Sequence, residues 1–389
     1  MRVADTGSSW SSKDLPARSL EELCAAAARL RDRNKGRTVS FSPKVFIPLT
    51  RLCRDFCSYC AFRQKSGDAE QIYMSPDEVL RVAQAGERAG CREALFVLGE
   101  RPEERYPRAR RWLRDHGYDS TLEYLREMCA LVLRETALYP HSNPGTMTGN
   151  ELRALKEVNA SMGLMLESTS LRLCAAGGPH ERAPSKRPDV RLATLRLAGE
   201  LKIPFTTGLL IGIGETAQER VEALHAIRML SKQYGHIQEV IIQNFRAKPG
   251  TPMGDAPDAT VEEMVETVAT ARIILGGEMN IQVPPNLACS PGWSSYLQYL
   301  QAGINDWGGI SPVTIDYVNP EAPWPHVAEM QDQMDALGFE LRARFPAYPE
   351  YIVKRREYLP QSLLGRLCTE ADFQGYLPRG GWGRSSREQ

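Results

Sequence analysis

Short apolar runs rich in β-branched residues alternate along this chain with longer stretches whose apolar positions recur at helical spacing. The runs predict strands over residues 44–50, 94–98, 137–141, 163–167, 205–211, 239–244 and 280–283, with a short eighth near Ile310. The periodic stretches predict helices, most clearly over 76–89, 122–136, 191–202, 218–232 and 261–274. Near-continuous apolar strands separated by helices build parallel sheets. Eight of them predict an α/β fold, a closed (β/α)8 barrel of the TIM type. Residues 19–33, SLEELCAAAARLRDR, predict an N-terminal helix packed outside the barrel and capped by Ser19. No internal repeat or second domain is visible. The expected organisation is a leader and helix over 1–40, the barrel over 41–345 and a C-terminal extension over 346–389. The polar start MRVADTGSSWSSKD and the final RGGWGRSSREQ are expected to be disordered.

Composition narrows the class of function. The chain is 42% hydrophobic and 25% charged, and its 48 Lys and Arg balance its 48 Asp and Glu. That balance points to neither a nucleic-acid surface nor an acidic-membrane binder. No apolar run approaches the ~20 residues that span a bilayer. The start of the chain has no apolar core of the kind a targeting peptide carries. A cytoplasmic, reducing compartment is expected. Nine cysteines, an odd number without a regular framework, argue against a disulfide set.

Three of those cysteines stand together in LTRLCRDFCSYCAF: Cys53, Cys57 and Cys60, spaced Cys-x3-Cys-x2-Cys. Three thiolates can hold three irons of a [4Fe-4S] cluster and leave the fourth open. The same run can supply three ligands of a zinc site with a fourth elsewhere, or three unrelated buried thiols. Cys24 and Cys129 lie in helical stretches and read as packing residues, and Cys91 and Cys368 default to the same role. Cys174 and Cys289 lie in or near loops on the expected active face. Barrels carry their chemistry at the C-terminal ends of the strands, and the motifs obey that rule. Cys53 follows the first predicted strand, Gly99-Glu100 the second, and Asn143-Pro144-Gly145 the third. Glu167-Ser168 closes the fourth, Gly212 to Glu215 follows the fifth and Arg246 follows the sixth.

The cysteine spacing, with Tyr59 directly before the third cysteine, resembles the cluster loop of the radical S-adenosylmethionine (SAM) superfamily. The resemblance implies a [4Fe-4S] cluster on Cys53, Cys57 and Cys60, with SAM as co-substrate on the open iron. One electron from an external donor then cleaves the sulfonium and releases a 5'-deoxyadenosyl radical. It also implies a set of SAM contacts. Tyr59 would lie beside the adenine. Gly99 and Glu100, here LGE, match the motif that receives the methionine ammonium. Glu167, with Ser168 beside it, would bind the ribose hydroxyls, and Arg191 would pair with the SAM carboxylate. Gly212 and Gly214 in GLLIGIGE would let the backbone approach the base. Arg191 also reads as a surface helix-start residue, and Tyr59 as a shield for the cluster.

Longer stretches resemble one family more specifically, the first subunit of 7,8-didemethyl-8-hydroxy-5-deazariboflavin (FO) synthase. They are FIPLTRLCRDFCSYCAF, TLEYLREMCALVLRETALYPHSNPGTMT, SMGLMLES, FTTGLLIGIGET, IIQNFRAKPGTPM, IQVPPNL and AGINDWGGISPVTIDYVNPEAPWP. The implied reaction is an ammonia-releasing ring closure of a tyrosine-derived uracil adduct, and the implied functional partner is the second subunit that makes this adduct. Polar groups at the expected barrel mouth are candidates for holding it: Asn143, Gln243, Asn244, Asn286, Asn305 and Asp306. His141 and Arg246 are candidate catalytic groups, His141 because imidazole titrates near neutrality. Each also reads as loop structure. The basic, aromatic stretch 101–120 reads as a solvated connection with helical content or as a lid. The competing readings are the tyrosine-using subunit, a menaquinone-pathway relative, an iron-sulfur electron carrier and a zinc-binding barrel.

Overall fold

The computed structural model describes residues 18–64, 71–288 and 296–380. The N-terminal leader, Cys289 and the tail from residue 381 lie outside the described residues. Eight parallel strands follow one another around a barrel: β1 (Thr38–Thr50), β2 (Glu93–Leu98), β3 (Tyr139–Asn143), β4 (Ser161–Gly163), β5 (Phe205–Ile211), β6 (Ile237–Asn244), β7 (Asn280–Gln282) and β8 (Asp306–Ile310). Pairing of β1 with both β2 and β8 closes the ring. A ninth strand, β9 (Glu340–Ala343), lies outside it against the first half of β1, from Thr38 opposite Glu340 to Phe41 opposite Ala343.

The outer layer is helical because the sequence caps and stripes it. Ser19, Ser75, Thr148, Thr216 and Thr260 each accept a hydrogen bond from the backbone three residues on, where a Glu side chain reaches back to the cap. This reciprocal pairing satisfies two otherwise unpaired amides at each helix start. The expected helices appear as Leu20–Lys35, Pro76–Arg88, Thr121–Glu135, Pro188–Glu200, Ala217–Tyr234 and Val261–Leu275. Leu20–Lys35 packs on Val261–Leu275 and Tyr296–Gln301. Its Arg31 Nη1 donates to the Ile304 carbonyl below β8 at 2.7 Å. No helix among the described residues is long and apolar enough to cross a membrane.

The base of the barrel is charged rather than apolar. Ser42 and Lys44 meet Glu93, with Lys44 Nζ 3.3 Å from its carboxylate. Thr206 Oγ1 donates to Glu239 at 2.8 Å. Arg344, just past β9, inserts between Asp306 and Glu239, with Nε 2.7 Å from Asp306 Oδ2 and Nη2 3.2 Å from Glu239 Oε1. Tyr348 stacks on this guanidinium with the Arg344 Cζ 3.9 Å from the ring centre, and its hydroxyl donates to Glu239 at 2.9 Å. Buried charges persist only when paired and hydrogen-bonded, and here the chain beyond the eighth strand supplies the cation. The C-terminal segment then covers this end with Phe345, Ile352, Leu363 and Leu367, packed against Tyr139.

Three expectations are corrected by this layer. His141 does not follow β3 but lies inside it, and its Nδ1 is 2.7 Å from Ser161 Oγ. Burial lowers its pKa to about 4, so the ring is neutral and sits below the mouth. Asn305 and Asp306 lie at the entry to β8, which is the N-terminal end of a parallel strand and faces away from the mouth. Asn305 Oδ1 accepts from Arg272 Nη2 at 2.8 Å, and Asp306 is the partner of Arg344. All three serve the base of the barrel.

Candidate functional site: a cysteine-lined barrel mouth

At the opposite end a cavity of about 270 Å³ opens over the C-terminal ends of the strands. Cys53, Cys57 and Cys60 line one wall. Their loop is held by the chain itself. Phe56 forms an antiparallel bridge with Arg182, and its amide donates to the Arg182 carbonyl at 2.9 Å. Ser58 N–H donates to the Pro179 carbonyl at 2.9 Å. The Tyr106 hydroxyl donates to the Cys53 carbonyl at 3.2 Å, and the Glu100 amide donates to Cys53 Sγ at 3.2 Å. Gly99 is required here, because a Cβ would run into the Leu52 carbonyl and Cys53. Stretch 101–120 contributes helices Pro102–Arg105 and Pro107–Asp115, fastened by Tyr106 to the cysteine loop and by Arg101 to Glu151 at 2.8 Å. The helical content expected of this stretch is present.

The three thiols share a wall, yet among the described residues no three His, Cys, Asp or Glu converge on a single-ion position. A tetrahedral zinc requires all its sulfurs at ~2.3 Å from one centre. A cluster asks for a wider spread, since each thiolate takes a different iron. Three thiols on one cavity match in number the three thiolates that such a cluster takes. Burial pushes the Cys53 and Cys57 thiols up to about 12, with Lys186 pulling Cys57 the other way. Thiolates at these positions need the positive charge of bound metal.

The remaining walls are polar and largely spoken for. Glu167 has a left-handed backbone (φ 64°) and is ion-paired with Lys186. Burial alone would raise its pKa, but Lys186 and Arg191 outweigh it and hold the carboxylate ionised. Tyr59 Oη lies 3.0 Å from His180 Nε2. Burial raises this phenol well above its ordinary value, and burial lowers His180 to about 3, so both are neutral. Glu100 accepts from the Thr146 amide at 3.1 Å and from its hydroxyl, with Arg54 3.6 Å away. Arg191 gives Nε to the Ser185 carbonyl at 3.0 Å and Nη1 to the Met165 carbonyl. It holds the loop after β4 rather than standing free on the surface.

Asn143, Gln243, Asn244 and Arg246 also face the cavity. Asn244 is 1% exposed, and neither its amide nitrogen nor its oxygen has a partner among the described residues. A buried amide left unmatched is costly, which makes this side chain a candidate for holding a ligand. Arg246 is anchored by Asp258 at 3.1 Å.

Other expected residues lie off the cavity. Gly212 (φ 94°) and Gly214 (φ 102°) form a loop folded around Glu215, which accepts from the Gly212 and Ile213 amides at 2.9 Å. Ser168 Oγ accepts from the Ser170 amide at 3.1 Å within a turn. Asn286 donates to Asp316 at 3.0 Å, which also accepts from Asn319 at 3.0 Å. Asn319 in turn accepts from Lys248 Nζ at 2.9 Å. That chain ties together the loops after β6, β7 and β8. Cys174 is half-buried outside the cavity, whereas Cys129 is fully buried beside Ser142.

Lys186, Lys248, Asp55 and Asn319 line the cavity and were not expected. Asp55 stands inside the cysteine run and Lys248 inside AKPG, so adjacency to a motif was the available signal. Lys186 offered none, because it reaches the site only through the long loop after β4.

The radical SAM superfamily profile matches residues 47–227. The 7,8-didemethyl-8-hydroxy-5-deazariboflavin synthase of Methanopyrus kandleri is 55% identical over 314 residues, 81% of this chain and 92% of that protein. FO synthases of Streptomyces avermitilis and Mycobacterium tuberculosis are 48% and 49% identical over 91% of this chain. The chain spans only 42% and 43% of their lengths. Among solved structures, methylornithine synthase superposes with TM-score 0.66 at 19% identity, covering 85% of this chain and 94% of that one. The FeFe-hydrogenase maturase of Carboxydothermus hydrogenoformans superposes with TM-score 0.67 at 19% identity, covering 89% and 83%. Those two likenesses speak to the barrel alone. The cysteine-lined mouth, the barrel that carries it and the identity to the Methanopyrus protein place this chain in the radical SAM superfamily and, within it, in the 7,8-didemethyl-8-hydroxy-5-deazariboflavin synthase family.

Proposed function

We propose that this chain is a radical SAM lyase that closes the deazaflavin ring. Its substrate is 5-amino-5-(4-hydroxybenzyl)-6-(D-ribitylimino)-5,6-dihydrouracil. Loss of ammonia and of two hydrogens from this adduct gives FO: one hydrogen would pass as an atom to the 5'-deoxyadenosyl group released with methionine from SAM, and the other would leave as a proton whose electron makes good the one spent on cleaving SAM. The adduct comes from the second subunit or its fused counterpart, and an external donor supplies the electron. The observation that carries this reading is the meeting of three thiols, the Glu167 carboxylate and the unmatched Asn244 amide on one cavity.

Bound there, the cluster and SAM supply a radical that abstracts hydrogen from substrate. The chain's own residues do the rest. Cys53, Cys57 and Cys60 would hold the irons. Glu167, kept anionic by Lys186, accepts from the ribose hydroxyls, charge-assisted contacts that are stronger than neutral ones. Tyr59 and His180 form a neutral wall beside the adenine. Glu100, fixed by Thr146, and nearby carbonyls receive the methionine ammonium. Asn244 presents a donor and an acceptor side by side, which matches one imide edge of the uracil. Asn143, Gln243 and Arg246 meet the polyol and phenol, with Arg246 positioned to stabilise negative charge as the ring forms. Arg191 acts as a positioning residue through the loop that carries Lys186.

Two measurements test this reading. The reconstituted protein, given reductant, SAM and the adduct without oxygen, is expected to release 5'-deoxyadenosine and develop deazaflavin fluorescence together, and to do neither productively with tyrosine in place of the adduct. Deoxyadenosine without fluorescence would move the substrate assignment elsewhere. Glu167→Ala is expected to raise the SAM dissociation constant by roughly tenfold or more, from loss of hydrogen bonds to a charged group, with the cluster's absorption intact. An unchanged constant in calorimetry would remove Glu167 from the ribose site.

A further inference from the structure

One ring beside the cysteine loop is surrounded by positive charge. The Phe56 ring centre lies 3.9 Å from the guanidinium carbon of Arg63, 4.1 Å from that of Arg105 and 4.9 Å from that of Arg182. The three arginines come from three segments: the cysteine loop, the helix after β2 and the loop after β4. None of them has a carboxylate partner among the described residues, while the neighbouring acids are engaged elsewhere. Glu104 pairs with Arg54, Glu103 accepts from Thr121, and Glu181 accepts from the Gly177 amide. Arg105 and Arg182 are exposed and Phe56 is half-buried. In a chain of zero net charge, such a focus is local and does not reflect a generally basic surface.

We infer that this face docks an acidic one-electron carrier protein that reduces the cluster. The inference rests on the radical SAM reading above, which needs an electron from outside. Phe56 directly precedes Cys57, so a partner resting on the ring stands one residue from a cluster ligand. An apolar centre ringed by charge suits a small, transient interface of the kind redox partners form. Complementary charge raises encounter rates most at low salt. Phe56, Arg105 and Arg182 lie outside the cavity wall while Arg63 lines it, so the docking face borders the substrate's entrance and its two exposed arginines stand outside it. The carrier loses one electron and the cluster gains it. No bond is made or broken and no proton has to move.

Arg105→Glu combined with Arg182→Glu tests the docking face, with an acidic flavodoxin as the probe. Binding of oxidised flavodoxin to the cluster-loaded protein is read by surface plasmon resonance at low salt and at ~0.15 M salt, where the screening length falls to ~8 Å. Wild type is expected to bind more weakly as salt rises, and the double variant to bind about tenfold more weakly at low salt. Deoxyadenosine formation driven by subsaturating reduced flavodoxin should fall by a similar factor, while the dithionite-driven rate stays at the wild-type value. Equal flavodoxin binding by the two proteins would overturn the assignment. So would an equal loss with dithionite, which would show damage to the site. Phosphate binding by wild type alone, with flavodoxin unaffected, would instead assign a small-anion site. If wild type cleaves no SAM even with dithionite, the radical SAM reading fails, and the binding comparison still decides the docking face.

Discussion

Cys57→Ala yields a folded protein without colour and without deoxyadenosine formation above background. The side chain removed is one of three that can hold iron, and no fourth cysteine lines the cavity among the described residues. The loop around it does not depend on the sulfur. Phe56 and Ser58 keep their main-chain bonds to Arg182 and Pro179, and the Cys60 amide still donates to the carbonyl of residue 57 at 3.1 Å. Unfolding stability of the metal-free protein should therefore change by no more than about 1 kcal/mol, the ordinary scale of a substitution that breaks no buried network. Visible absorption after anaerobic reconstitution, circular dichroism and chromatographic assay of deoxyadenosine check the three parts. Persistent SAM cleavage by this variant would mean that the cluster is held elsewhere.

Arg344→Ala acts at the other end of the barrel and strikes stability. It leaves Asp306 and Glu239 facing each other in the base without the cation that separates them. Removing one partner of a buried pair costs about 3–5 kcal/mol, because the remaining charge is uncompensated. The deficit depends on pH in a defined sense. Without Arg344 the two carboxylates take up a proton more readily in the folded state than in the unfolded chain, so the folded variant binds the extra proton and gains stability as pH falls. Burial already raises the pKa of Glu239 in the intact protein. Urea unfolding midpoints of variant and wild type should lie far apart above neutrality and closer near pH 5. Coincident midpoints at both values would show that the base of the barrel does not rely on this residue.

That network also explains what the sequence concealed. Strand β5 was legible at its observed limits, and β2, β6 and β7 nearly so, because apolar runs between capped helices have few other uses. The first half of β1 and all of β9 were not. Ser40, Ser42 and Arg344 point polar groups into a closed base and Arg342 pairs with Asp372 of the C-terminal segment, and a periodicity argument reads such residues as solvent-facing. The same blind spot misplaced His141, Asn305 and Asp306. Polar residues near a strand look like mouth residues unless it is known which end of the strand they occupy. β4 was expected to run to Glu167, yet the ladder to β3 and β5 ends at Gly163, and Glu167 returns only as a single bridge to Leu209. The left-handed backbone at Glu167 turns its carboxylate toward Lys186. At the mouth the cysteines, Glu100, Glu167 and Asn244 were legible, because each sits within a residue or two of a strand end or motif. Lys186 and Asn319 were not, because long loops carry them there.

The manner in which the cysteine loop is pinned bears on the working life of the protein. Small zinc domains fold only as metal arrives, and chelation undoes them. Here the Tyr106 hydroxyl and the Arg182 and Pro179 carbonyls fix the loop by its backbone, through contacts that use none of the three sulfurs. A loop pinned in this way is expected to keep its shape whether or not the three cysteines carry iron, so a chelator that strips the metal should leave the circular dichroism of the protein unchanged.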